Sequence, residues 1–509
     1  MDRRVFLHAT TFTTLGCLAP GLEGFAQAIA SAQDGVLEVQ THATKGPLPH
    51  VWEECAGSDR AVVGMRAQWQ QDLELVKKTV GIKSVRFHGL FNDEMGVWSS
   101  ASQKPNFLYI DMVFDAMLER GVRPYVELSF MPRALASGEK AIFWYKGNTT
   151  PPKELKDWGL LVGGLARHCI ERYGLEEVRG WKFEVWNEPN IMFWAGTKAQ
   201  YFDLYRESAL ALKAVDKQLK VGGPSTAQAA WVGDLLEFCA AENVPIDFAS
   251  SHIYADDQQK AVFGEDRHYP IEEVMPQALK KMKAEIKASK FPDLPLYISE
   301  WSSQNPAFIA HTIKSCNGLA EILSYWTFDN VFEELGTTKP FLNRTFGLIG
   351  MRGIPRLSFH TFALLHKLGD VELASQDGPV LATRRADGTL AILLWNLIPQ
   401  DPKQRSSMGD PMVQTEGTFA TQGEARKMTL RLLGEHGHKP VKVSRVDGEH
   451  GSFMTAYKSM GSPEYPTAKQ IEALKQASQL PAPEMLHLGA QGEISITIPA
   501  YGVALLELA

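Results

Sequence analysis

The chain has 509 residues, 44% hydrophobic and 22% charged, a globular composition and enough length for one large domain with an attached second domain. Its 52 basic and 59 acidic side chains give a formal net charge of −7, which excludes the strongly basic surface that gathers nucleic acid. The five cysteines are widely spaced without a C-x-x-C pair, so neither a disulfide framework nor a zinc ribbon is expected.

The first 30 residues have the pattern of a bacterial export signal. Arg3 and Arg4 precede a mildly apolar run over residues 9–18, and a stretch of small residues follows it. This pattern resembles a twin-arginine signal and predicts an exported protein, either periplasmic or secreted. No later segment reaches the roughly 18 uninterrupted apolar residues that span a bilayer, so no membrane partner is expected.

Between about residues 60 and 330, short apolar runs alternate with amphipathic stretches, which predicts parallel strands joined by helices. Eight such units in about 270 residues favour a closed (β/α)8 barrel of the TIM type over an open sheet, because no glycine-rich phosphate turn follows the first strand. The predicted strands are residues 61–65, 82–88, 123–130, 180–185, 220–223, 248–252, 296–300 and 323–328. The predicted helices are residues 68–80, 108–120, 155–173, 200–215, 231–242, 271–287 and 307–316.

After about residue 357 the pattern changes to short alternating strands separated by Gly, Asp and Pro turns, which predicts an antiparallel β-sandwich. A strand-like segment over residues 35–42 is expected to pair with it. Residues 403–422 and 461–483 are predicted to be long loops, the second with one short helix. The predicted organisation is a signal over residues 1–30, an N-terminal strand segment over 31–58, a barrel over 59–356 and a β-sandwich over 357–509.

Two glutamates end predicted barrel strands. Glu188 follows the fourth strand in the sequence WNEPN, and Glu300 is the last residue of the seventh. Active sites of such barrels lie at the carboxyl ends of the strands, and strands four and seven stand nearly opposite each other. The two carboxyl groups are therefore expected to meet about 5 Å apart, the spacing at which a retaining glycosidase uses one as acid and base and the other as nucleophile.

Four segments resemble glycoside hydrolase family 39, the family of β-xylosidases and α-L-iduronidases. They are residues 183–190 (FEVWNEPN), 86–95 (RFHGLFNDEM), 251–254 (SHIY) and 325–334 (YWTFDNVFEE). The resemblance covers about residues 35–370. It implies net retention by double displacement without a metal or organic cofactor, with Glu188 as acid/base and Glu300 as nucleophile.

Further site residues are predicted, some from residue type and position and others, His252, Tyr254, Glu333 and Glu334, from the resemblance. Arg86 would support the nucleophile, and Trp144 is a further possible stacking platform. The predicted substrate-binding residues are His88, Asn187, His252, Tyr254, Trp301, Trp326, Glu333 and Glu334. The two acidic residues at 333 and 334 would disfavour a substrate that carries a carboxylate.

These observations predict an exo-acting β-xylosidase that releases terminal pentoses from plant-derived oligosaccharides. The pentose preference comes from the family resemblance alone. An arabinopyranosidase, an iduronidase, an endo-acting exopolysaccharide hydrolase and a non-catalytic carbohydrate-binding protein on the same fold are alternatives. The sequence leaves the oligomeric state and the cleaved linkage open.

Overall fold

The computed structural model describes residues 36–99, 104–329, 333, 334, 336, 347–399 and 423–508. The predicted signal over residues 1–30 and the predicted loop over residues 403–422 lie outside this part of the chain. Within the described residues, no helix is both long and apolar enough to cross a membrane.

Eight parallel strands close into a barrel, so the predicted fold class is confirmed. Each strand pairs with its sequence neighbours, and the eighth closes on the first where Tyr325 lies opposite Ala56. In chain order the barrel strands are Ala56–Arg60, Ser84–His88, Arg123–Leu128, Lys182–Val185, Lys220–Thr226, Phe248–His252, Leu296–Trp301 and Ile322–Tyr325.

The first barrel strand lies five residues before its predicted position. The predicted strand over residues 61–65 is a short 3-10 helix, Ala61–Met65, and the strand is Ala56–Arg60, with the sequence AGSDR. It carries no apolar signature because Gly57 must be small and the three residues after it are polar: a Cβ at Gly57 would lie 2.3 Å from the Trp326 ring. The barrel therefore begins inside the segment that the sequence analysis gave to the N-terminal strand.

Helices surround the barrel and bury their apolar faces against its strands. The helix Leu357–His366 packs on the helices Pro306–Ser315 and Ala67–Val80, so the barrel layer extends past residue 356. The principal helices are Ala67–Val80, Leu108–Glu119, Leu155–Tyr173, Lys198–Val215, Val232–Glu242, Ile271–Ala288, Pro306–Ser315 and Leu357–His366.

The second unit is one nine-stranded, mostly antiparallel sheet that includes the N-terminal strand Val36–Pro47. That strand pairs antiparallel with Val371–Ser375 and parallel with Arg426–Leu433. The remaining strands are Val380–Arg384, Leu390–Trp395, Pro440–Val446, Glu484–His487, Glu493–Ile498 and Val503–Leu508. The sequence pattern predicts strands over residues 380–384, 390–396, 427–433, 441–446 and 494–508, so it misses the strands Val371–Ser375 and Glu484–His487.

The sheet curls over its own apolar side chains, so its two ends approach each other as a sandwich. Arg445 near one end donates a hydrogen bond of 2.9 Å to the Thr497 carbonyl at the other. Residues of its opposite face, including Leu393 and Leu505, join the apolar core of the barrel. The short helix predicted within residues 461–483 is present as Ala468–Ala477.

Candidate active site

The backbone after the fourth strand turns sharply to direct Glu188 into the barrel mouth. Trp186 and Glu188 have φ angles of 73° and 43°, in the left-handed region that ordinary residues rarely adopt. The Glu188 N–H donates a 2.7 Å hydrogen bond to the Ser225 carbonyl of the fifth strand, which helps to hold this conformation. Backbone strain of this kind costs about 1–3 kcal/mol and clusters at functional sites.

His252, the last residue of the sixth strand, joins the two predicted catalytic carboxylates. Its Nδ1 lies 2.5 Å from Glu300 Oε2 and 3.1 Å from Glu188 Oε1, and all three side chains are buried. One oxygen of each carboxylate and the imidazole nitrogen lie within 4.8 Å of one another. The structure thus brings Glu188 and Glu300 together in one buried cluster, and the same three donors could also hold a divalent cation.

His252 and Glu300 carry opposite charges in their contact. Burial raises the pKa of the Glu300 carboxyl, but the charges of His252, His88 and Arg86 and a hydrogen bond from His252 outweigh it, so the pKa lies well below its usual range. Burial lowers the pKa of His252, but Glu300 and hydrogen bonds to both carboxylates raise it to about 9. At neutral pH Glu300 is therefore ionised and His252 is protonated.

Arg86 supplies a fixed positive charge beneath the carboxylates. Its Nε donates a 2.6 Å hydrogen bond to Glu184, and its Nη2 lies 2.9 Å from Glu127 and 2.9 Å from Asn187 Oδ1. Because Arg86 occupies the Asn187 carbonyl oxygen, the amide nitrogen is free to donate elsewhere. Asn187 Nδ2 is buried and has no hydrogen-bond partner among the described residues.

His88 and Trp326 lie side by side in the barrel mouth. Their ring centroids are 4.6 Å apart, and His88 Nδ1 lies 2.9 Å from Glu127 Oε2. Burial lowers the pKa of His88, but the charge of Glu127 and its hydrogen bond raise it above the ordinary value. Trp326 reaches this position because Gly57 of the adjacent strand has no side chain to obstruct the ring.

Glu333 and Glu334 have different environments although they are adjacent. The Glu333 carboxylate accepts hydrogen bonds of 2.7 and 3.0 Å from Arg66 and 2.9 Å from Arg60, which lower its pKa against the effect of burial. Glu333 is thus held in ion pairs with two arginines, and its role in binding a sugar hydroxyl stays a prediction. Glu334 Oε1 lies 3.7 Å from His88 Nε2, inside the mouth.

Trp301 lies outside the site, and its predicted role in substrate binding is wrong. Its ring packs edge-on against Tyr325 and Phe362, with centroids 5.7 and 6.3 Å apart, and Phe362 belongs to an outer helix. Consecutive residues of a strand point to opposite faces, so an inward Glu300 directs Trp301 outward. Tyr254 lies two residues beyond the sixth strand, where its backbone N–H donates to Asp257 at 2.8 Å.

Several buried polar residues of the site were missed by the sequence analysis. Glu127 and Glu184 are fully buried within the third and fourth strands, where they balance Arg86. A carboxylate in the middle of an apolar strand is the signal that could have identified them, because buried charges are paired. Asp59 was missed because its strand was placed five residues too late, and Tyr145 lies in a loop without a regular pattern.

β-Xylosidases are among the known proteins that are similar to this chain. A β-xylosidase of Geobacillus stearothermophilus is 36% identical over 454 residues, which cover 84% of this chain and 86% of that protein. A β-xylosidase of Caldicellulosiruptor saccharolyticus is 37% identical over 462 residues, covering 86% and 90%. The crystal structure of a monomeric β-xylosidase from Caulobacter crescentus CB15 superposes with a TM-score of 0.81 at 30% identity, covering 93% of this chain and 99% of that one.

The family model described as "Glycosyl hydrolases family 39" matches residues 36–494, nearly all of the described chain. The resemblance found in the sequence motifs is therefore confirmed. The barrel, the paired carboxylates at strands four and seven and this match lead to one conclusion: the chain belongs to glycosyl hydrolases family 39 and is a glycoside hydrolase.

Proposed function

We propose that this glycoside hydrolase is a retaining, exo-acting β-xylosidase with Glu188 as acid/base and Glu300 as nucleophile. The observation that carries the proposal is a pair of buried carboxylates, Glu188 and Glu300. One oxygen of each lies within 4.8 Å of one oxygen of the other. Retaining enzymes hold their carboxyl groups about 5–5.5 Å apart, whereas inverting enzymes need about 6.5–9.5 Å for a water molecule. The xyloside preference is supported by the two relatives at 36% and 37% identity that are named β-xylosidases.

In the first step Glu300 attacks the anomeric carbon while Glu188 donates its proton to the leaving oxygen. A bond forms between Glu300 and the sugar, and the glycosidic bond breaks to release the aglycone alcohol. Glu188 then removes a proton from a water molecule, whose oxygen displaces Glu300 and regenerates both groups. The low pKa of Glu300 keeps the nucleophile ionised, because protonated His252 and Arg86 stabilise its negative charge.

The groups around the carboxylates suit a neutral sugar ring. Asn187 Nδ2 is a buried donor without a partner in the described structure, well placed to bind the hydroxyl next to the anomeric carbon. Trp326 offers an apolar face to the ring. Glu334 near His88 disfavours a carboxylated sugar such as an iduronide.

Exo action is supported by the depth of the site. Glu188 and Glu300 are each only 1% exposed, which favours a pocket that admits one terminal residue over an open groove for a polymer. The proposed natural substrates are xylo-oligosaccharides from plant xylan.

The decisive experiment is a panel of aryl glycosides with product stereochemistry followed by NMR. We expect the β-xyloside to be cleaved fastest, before the α-arabinopyranoside, α-arabinofuranoside, β-glucoside and α-iduronide, with β-xylose as the first product. Glu300→Ala should lower kcat by at least about 10⁴-fold, and azide should restore turnover to Glu188→Ala as β-xylosyl azide. A first product of inverted configuration, or near-normal turnover by Glu300→Ala, would contradict the proposal.

We also propose that the protein is exported through its twin-arginine signal. The proposal is supported by Arg3, Arg4 and the apolar run that follows them. Changing both arginines to lysine in the expressing bacterium should retain the enzyme in the cytoplasm, which cell fractionation would detect. Unchanged export of that variant would contradict the proposal.

A further inference from the structure

Asp59 lies near the mouth end of the first barrel strand, Ala56–Arg60. The preceding Ser58 accepts a 2.8 Å hydrogen bond from Trp69 of the outer helix, and Gly57 faces the Trp326 ring. Asp59 lies at a register shift of this strand, between Ser58 and Arg60, and is fully buried close to the mouth. Its Oδ2 accepts the backbone N–H of Glu333 at 2.5 Å.

Two polar atoms in this part of the mouth have no hydrogen-bond partner among the described residues. They are Asp59 Oδ1 and Tyr145 Oη, both buried. An unsatisfied buried polar group costs about 1–3 kcal/mol, so native proteins rarely retain one without a ligand or a function. Asn187 Nδ2 and Arg86 Nη1 are further atoms of this kind in the site, among the described residues.

Arg60 places Asp59 and Tyr145 beside each other. Its guanidinium carbon lies 4.5 Å above the Tyr145 ring centroid, and its Nη1 lies 3.3 Å from Asp59 Oδ2. The residue before Tyr145, Trp144, donates its N–H to the Glu334 carbonyl at 2.7 Å. Both atoms therefore belong to the side of the mouth formed by Trp326 and Glu334, which follow strand eight, and by His88, which ends strand two.

This side lies across the barrel from His252 and Glu188, where the anomeric carbon must react. A pyranose ring seated against Trp326 would extend its far carbons, C3 and C4, toward the first strand. We propose that Asp59 and Tyr145 bind one hydroxyl of the glycone at C3 or C4, which donates to Asp59 Oδ1 and accepts from Tyr145 Oη. The proposal rests on the proposed glycosidase function and adds a specificity-determining pair to it.

The charge of the pair defines the sugar that it accepts. Burial raises the pKa of Asp59 to about 6 although Arg60 and the Glu333 N–H oppose the rise, so the carboxylate is ionised at neutral pH. An ionised acceptor binds a hydroxyl more strongly than a neutral one and repels a carboxylate. The pair therefore selects a neutral glycone.

The test combines Tyr145→Phe, which removes only the hydroxyl beneath Arg60, with deoxy substrates. The substrates are 4-nitrophenyl β-D-xylopyranoside and its 3-deoxy and 4-deoxy analogues. We expect Tyr145→Phe to lower kcat/KM on the parent substrate about 10-fold, mainly through KM. For one deoxy analogue, the kcat/KM of the wild type should be about 30-fold or more below its value for the parent substrate. On that same analogue, the kcat/KM of the variant should be less than threefold below that of the wild type.

Asp59→Asn is a second variant, because its side-chain oxygen can still accept the Glu333 N–H. It should also lower kcat/KM on the parent substrate but have little effect on the same deoxy analogue. Tyr173→Phe is the matched control, since Tyr173 bonds to Asp115 on the outer helices and should leave kcat/KM unchanged. Losses by both site variants that are equal on parent and deoxy substrates, or no loss, would overturn the inference. A wild type inactive on every β-xyloside would instead overturn the proposed function.

Discussion

At the scale of single residues, His252 determines the charge state of the site. Its Nδ1 lies between the two carboxylates, 2.5 and 3.1 Å away, and its charge is the largest influence that lowers the pKa of Glu300. His252 acts through Glu300 and Glu188 and is therefore a positioning residue. Its sequence signal was its place in the segment SHIY, which resembles family 39, at the end of a predicted strand.

Replacing His252 with Asn should raise the pKa of Glu300, because burial then acts on the carboxylate with less opposing positive charge. We expect kcat/KM for an aryl β-xyloside to fall about 10²-fold near pH 7, and the acid limb of its pH profile to move to higher pH. The measurement is kcat/KM between pH 4 and 9. An acid limb that stays in place while activity falls would show that His252 acts only through packing.

At the scale of elements, the first barrel strand shows how a site can conceal a strand from pattern analysis. The sequence AGSDR has no apolar run, because Gly57 must leave room for the Trp326 ring and the last three residues are polar. The adjacent run AVVGM looks more strand-like but forms a 3-10 helix that packs at the mouth. The space that the Trp326 ring needs beside the strand therefore outweighed the higher β-strand propensity of the run AVVGM.

Gly57→Ala should therefore affect both stability and substrate binding. The added Cβ would lie 2.3 Å from Trp326 Cε3, so the ring must move. We expect a loss of about 1–3 kcal/mol in the free energy of unfolding and a several-fold rise in KM. The matched control is Gly46→Ala, where no atom lies within 4 Å of the new Cβ. Denaturant unfolding and KM for an aryl xyloside would test both, and identical behaviour of the two variants would contradict the packing argument.

At the scale of the whole molecule, the chain enters the barrel from the β-sandwich through a segment that contains His50 and Glu53. Glu53 Oε1 lies 2.7 Å from His50 Nδ1 and 2.8 Å from His366 Nδ1, at the end of the last barrel helix. Burial raises the pKa of Glu53, but the hydrogen bonds and charges of the two histidines have the larger effect, so the pKa lies below its ordinary value. The hydrogen bond to Glu53 raises the pKa of His366.

These shifts predict a pH window for stability. The contribution of Glu53 is present above its ordinary pKa of 4.5 and is lost as the pH falls through the lowered value. The contribution of His366 is present below its ordinary pKa of 6.5 and is lost as the pH rises through the raised value. The melting temperature of His366→Asn should therefore fall furthest below wild type between pH 4.5 and 6.5, by an amount equivalent to about 1 kcal/mol or less because His366 is partly exposed. A pH-independent difference would contradict this account.

The sequence by itself determined the barrel, the second β unit and the two carboxylates, because each leaves a local signal. Strands alternate with amphipathic helices, and Glu188 and Glu300 end apolar strands. Only the tertiary structure decided which other residues meet them. It turned Trp301 outward, engaged Glu333 with two arginines, and brought Asp59 beside Tyr145. The physical reason is that pairing between distant charges and packing between strands depend on positions in space, which the order of residues along one strand does not encode.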